Sequence, residues 1–144
     1  MAITTNAICN SFKKELLEAK HDFTASTGSV FNLAMYTSAA TLGKSTTSFT
    51  TGSETSSPAG YTSGGKALVN TGTSVASSVA ITNFSNLSFT NVTLTARGAL
   101  IYNTSNANTA VAVLDFGGDK TATSGTFTIQ FPAFTTSAAI LRIS

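Results

Sequence analysis

Two hydrophobic periods divide the chain. Near the N-terminus Ile8, Phe12 and Leu16 recur every four residues, with Cys9 and Leu17 beside them, which is the apolar stripe of a helix. Thr4, Thr5 or Asn6 can cap its start, and Lys20 and His21 stand near its end, where positive charge suits the helix dipole. Lys14 and Glu18 form an i, i+4 pair in the less favourable order, so burial of the stripe has to hold the helix. The expected helical segment is 1–22.

From residue 23 onward the period is two. Phe31, Leu33 and Met35 alternate with Asn32 and Ala34, as in a half-buried strand. Further strands are expected at 66–70, 78–84 and 86–96. The apolar parity changes there between Leu87/Phe89 and Val92/Leu94, which predicts a bulge or break near Asn91. Segments 98–103 and 109–116 flank the turn sequence TSNAN and read as a hairpin. Phe127, Ile129 and Phe131 share one face, and 137–143 reads as a last strand. Residues 37–65 are rich in Ser, Thr and Gly, and a loop of that length is usually functional or mobile. An extended arm is one reading of it. The expected fold is mainly β: a single domain over 1–144, an antiparallel β-sandwich or jelly roll with one N-terminal α-helix.

Composition sharpens this picture. Only 10% of residues are charged, against about 25% in ordinary globular proteins. Threonine (26) and serine (19) take their place. A surface of hydroxyls has little electrostatic repulsion and a low desolvation cost, which suits a protein packed against many neighbours. The net charge of +2 is too small for a nucleic-acid-binding face, and Lys13, Lys14 and Lys20 are interleaved with Glu15, Glu18 and Asp22. No apolar run approaches bilayer length, so no membrane association is expected. No basic-then-apolar leader opens the sequence, so synthesis and folding in a host cytoplasm are expected, in keeping with a lone cysteine that excludes internal disulfides.

The chemistry-bearing residues are few. Cys9 and His21 are twelve positions apart, about 18 Å along a continuous helix, too far to act as a pair. The expectation is a packed Cys9 and an exposed terminal His21. One His and one Cys make no zinc site. The six carboxylates are scattered, and DFGGDK lacks the ligands of a P-loop or an EF-hand. It reads as a Gly-Gly hairpin turn with Asp119 and Lys120 in solvent. Arg97 is expected to pair with Asp115 across the hairpin. The glycosylation triplets at Asn83, Asn86, Asn91 and Asn103 are chance matches in so Ser/Thr-rich a chain. No catalytic residues, cofactor or metal are expected.

The segments AITTNAICNSFKKELLEAKHDF, FNLAMYTSAATLG, GYTSGGKAL, ARGALIYN and AVAVLDFGGDK resemble a family of small virion proteins of tailed bacteriophages. The resemblance runs from Ala2 to Ile143 and carries no catalytic motif. It implies a non-enzymatic structural protein. The closest match in size and character is a capsid cement or decoration protein on the capsid exterior, which binds the major capsid protein lattice. Self-association as a dimer or trimer is expected alongside. The helix and the 37–65 loop are the expected contact elements, with Phe12, Leu16, Leu17, Phe49, Tyr61 and Arg97 as candidate partner contacts. The alternative is a tail or fibre component, possibly a glycan-binding module that uses Tyr36, Tyr61 and Tyr102.

Overall fold

A computed structural model describes residues 3–144. Alternating positions fold into two antiparallel sheets that pack face to face in a sandwich-like arrangement. In chain order the elements are β1 (Ala7–Ile8), α1 (Asn10–Leu17), β2 (Phe31–Tyr36), β3 (Lys66–Ala67), β4 (Asn70–Ala76), β5 (Val79–Phe84), β6 (Leu87–Asn103), β7 (Thr109–Ile129) and β8 (Leu141–Ile143). The larger sheet runs β1-β7-β6-β2-β3 and the smaller β4-β5-β8. The fold class read from the sequence, mainly β with one N-terminal helix, is the one observed.

The helix is shorter than expected. Ile8 belongs to β1, paired with Ala112 of β7, and Cys9 takes the N-cap position in extended conformation. No side chain caps α1, so Thr4, Thr5 and Asn6 do not serve that role. After eight residues the helix stops at Glu18, and Ala19 adopts φ +59°. That left-handed residue turns the chain back on itself: residues 20–22, expected to extend the helix, return over it with Phe23, and His21 and Phe23 pack on Phe12. The expected Lys14–Glu18 pair forms at 2.8 Å.

Strands β6 and β7 form one long hairpin in place of several short strands. The bulge foreseen at Asn91 is present: Asn91 has φ +55°, and the register shifts between Phe89 and Val92. The glycine pair of DFGGDK does not reverse the chain. Gly98 pairs with Asp115 and Ala96 with Lys120, so four residues of β7 are absorbed opposite Arg97 as a bulge. Gly117 has φ +80°, and its N–H donates to Asp115 Oδ1 (2.9 Å). The strand kinks there and resumes pairing with the same neighbour. Asp119 and Lys120 are exposed, as expected. Asp115 and Arg97 meet at 3.3 Å.

The expected 66–70 strand divides between the sheets, as β3 and the start of β4. β4 and β5 are joined by Ser77 and Ser78, with φ +52° and +63°, between the paired Ala76 and Val79. This is the two-residue turn whose twist matches that of the strands.

The core centres on Phe31. Phe23 stacks on it (centroids 4.6 Å apart, planes 7° apart), Phe84 of the small sheet meets it at 5.8 Å, and the His21 ring lies parallel at 6.3 Å. Phe12 of α1 touches both His21 (4.8 Å) and Phe23 (5.9 Å). One aromatic cluster thus joins the helix, the returning segment and both sheets. Truncating Phe31 removes the shared partner, and Phe31→Ala should lower unfolding free energy by about 3–5 kcal/mol, read from the urea midpoint. At Gly65 (φ +79°) a Cβ would lie 1.8 Å from the Leu33 carbonyl oxygen, and that atom is backbone. Gly65→Ala should therefore also destabilise the fold, whereas Gly43→Ala, with open space around it, should not.

Candidate partner-binding surface

The 37–65 segment is not an arm. Extended residues within it bond back onto the large sheet. Thr55 N–H donates to the Met35 carbonyl (2.9 Å), the Thr47 carbonyl accepts from Ala110 N–H (3.0 Å), and Phe49 N–H donates to the Asn108 carbonyl just before β7 (2.9 Å). Ala40, Leu42, Thr55 and Tyr61 are buried.

All three tyrosines hold this segment. Tyr36 Oη donates to the Thr50 carbonyl (2.6 Å), and Tyr102 Oη to that of Gly64. Tyr61 Oη accepts from Met35 N–H (2.9 Å) and donates to Glu54 Oε2 (2.8 Å). Glu54 also accepts from Gly64 N–H (2.7 Å) and Ser63 Oγ (2.8 Å). The carboxylate is the hub of a loop-holding network that engages both of its oxygens. Burial, as the largest cause, raises the ionisation of all three phenols above the ordinary tyrosine range.

His21 is not the exposed terminal residue expected. It is buried, and both ring nitrogens are engaged. Ser105 N–H donates to Asn103 Oδ1 (2.9 Å), which turns the Asn103 amide nitrogen toward His21 Nδ1 (3.0 Å). An amide NH2 only donates, so Nδ1 accepts and Nε2 carries the proton, donated to Glu15 Oε1 (3.0 Å). Cys9 is packed as expected, with its thiol toward the Gly43 carbonyl (3.9 Å). Burial first, and the charge of Glu15 second, push that thiol up to about 11. Cys9 and His21 therefore serve separate structural networks.

The six candidate contact residues are placed very differently. Phe12 lies in the aromatic cluster and Tyr61 in the Glu54 network. Phe49 is half-buried and stacks on Tyr102 at 4.6 Å. Arg97 donates twice to the Ile3 carbonyl (2.9 and 3.2 Å) besides pairing with Asp115, and so ties the N-terminal segment to the hairpin. Leu16 is half-buried. Leu17, expected in the buried stripe, is 90% exposed, because the helix ends beside it and the returning chain covers Phe12 instead. Sequence reasoning missed Val75 and Ile143, which are 72% and 59% exposed. Their pairing with Ala80 from both sides was hidden by a β4 whose Thr, Gly and Ser give little strand signal.

Among the described residues no cluster of His, Cys, Asp and Glu could hold a metal ion, and no helix is long and apolar enough to cross a membrane. Two open concave features are a groove of about 820 Å³ along β7 and the 138–142 segment, and an apolar cleft of about 460 Å³ between α1 and the small sheet.

The raised thiol and phenols fix a pH dependence. Each binds its proton more tightly folded than unfolded, so stability is complete below the ordinary thiol value of 9.0 and falls as pH rises through the alkaline range. Urea midpoints should decline steadily above about pH 9, and Cys9→Ser should remove the earliest part of the decline. A midpoint that stays level to pH 11 would contradict this account.

No family model matches the chain, and no curated protein and no solved structure matches it.

Proposed function

We propose that the protein is a non-enzymatic structural component of a tailed-phage particle, a capsid cement or decoration protein that binds the outside of the major capsid protein lattice and stabilises it. The observation that carries this reading is the character of the surface. Exposed hydroxyls on the long hairpin are bonded within it: Ser88 with Thr128 (3.0 Å), Thr95 with Thr121 (2.9 Å), and Thr93 Oγ accepting from the backbone N–H of Ser124 (2.9 Å). Hydroxyls already satisfied within the chain lose little when a neighbour displaces water from them. Much of the sparse charge is likewise engaged internally, in Arg97–Asp115, Glu15–His21 and the Glu54 network. Such a surface favours repeated, weakly repelling contacts, and many copies bridging subunit joints add resistance through multivalency.

The segment resemblance to small virion proteins supports the same reading. A fibre or adhesin role built on the tyrosines has less support, since Tyr36, Tyr61 and Tyr102 are buried and their hydroxyls are committed within the chain.

Particles made without the protein provide the test. Purified protein should cosediment with their heads at a saturating ratio set by the capsid lattice, and should increase survival of the filled heads on heating or osmotic shock. Copies found only at the tail vertex by electron microscopy would refute the cement reading.

A further inference from the structure

The inner face of the small sheet is covered at one end only. Phe84 is buried against Phe31, but along the same face exposure rises to Ile143 and Val75. Val75, Ala80 and Ile143 stand in register across β4, β5 and β8, as one apolar row. Leu16 and Leu17 of α1 form the opposite wall of the cleft there. Beside the row, β8 pairs with β5 alone, and among the described residues its other edge has no strand.

The charges lining the cleft have one sign. Lys13 and Arg142 line it, and no acidic residue does. Lys13 forms no ion pair among the described residues, and Arg142 donates only to the Ser137 carbonyl (3.1 Å). Glu18, on the adjoining turn, is held by Lys14 and Lys20. A symmetric contact between two copies centred on this cleft would set its cations against themselves, which disfavours a second copy as occupant. Arg142 pairs with Ile81, on the face of the small sheet opposite the apolar row. A strand laid on the free edge of β8 would therefore meet Leu141 and Ile143 with one set of side chains and Arg142 with the alternate set.

We propose that an extended segment of a partner protein, alternating apolar and acidic residues, adds to the free edge of β8. Its apolar side chains fill the cleft against Leu16, Leu17 and Ile143, beside Lys13, and its alternate carboxylates face Arg142. This names the docking surface of the structural role proposed above and rests on that role being played against a protein partner.

A direct test titrates the isotope-labelled full chain with a short synthetic peptide of alternating valine and glutamate, and with its valine–lysine counterpart. The amides of Leu16, Leu17, Ala80 and 141–143 should shift with the glutamate peptide, and the lysine peptide should bind at least about tenfold more weakly. Leu17→Asp, at an exposed position, should leave the spectrum folded and weaken the glutamate peptide by about tenfold or more. Arg142→Glu should reverse the preference between the peptides. Unchanged spectra at millimolar peptide, equal affinity for both peptides, or shifts mapping elsewhere would overturn the proposal. So would self-association, or binding to phosphatidylglycerol vesicles in place of the peptide, if either were abolished by Leu17→Asp. The titration reads the cleft without any particle, so its failure is separable from failure to cosediment with heads.

Discussion

The packing of Phe31 between Phe23 and Phe84 is the contact on which the other elements depend. β2 contributes Phe31 to the large sheet, β5 contributes Phe84 to the small one, and Phe23 arrives from the segment that returns after α1. A stacked ring on one side and an edge-on ring on another satisfy the quadrupoles of all three while burying large apolar areas. The short helix gains its place through the same cluster, because Phe12 packs on Phe23 and His21. Eight helical residues without a side-chain cap would not persist alone in water. Tertiary packing supplies what local propensity lacks.

Polar groups around this core are handled by closed networks. His21 sits between Glu15 and Asn103 and links the helix to the end of β6. Glu54 gathers Tyr61, Ser63 and Gly64, so a long segment without regular structure lies flat on the large sheet. Both networks sit inside the chain and fix the position of loops. The exposed hydroxyls of the long hairpin are largely bonded within the chain, and the apolar row beside α1 is left open.

The alternation of Phe31, Leu33 and Met35, of Phe127 and Ile129, and the parity change at Asn91 made the sheet architecture legible, since a period of two is a local signal. The Arg97–Asp115 pair was legible because arginine is scarce and the hairpin brings the two together. Residues whose partners lie far away in sequence were not legible. His21 meets Asn103 across 82 positions, and nothing near either residue marks the other. The role of Gly117 and Gly118 was misread because glycines supply a kink or a reversal with the same local chemistry, and only continued pairing with β6 on both sides decides between them. Leu16 and Leu17, singled out as candidate contacts, both line the cleft between α1 and the small sheet. Leu17 was placed on the buried side because spacing alone does not show that the helix ends there and that the returning chain covers Phe12 instead.

The long β6–β7 hairpin also bears on the order of folding. Its two strands meet across the short turn 104–108, so closing the first rung costs little chain entropy, and each later rung closes next to one already made. Bulges at Asn91 and around Gly117 interrupt that zipper without ending it. Pairing of β2 onto β6 closes a loop of tens of residues and needs the edge that the hairpin offers, and pairing of β8 onto β5 closes a loop of similar length within the small sheet. Loop-closure entropy thus favours the hairpin as an early element, and β8, whose three residues complete the small sheet, as a late one.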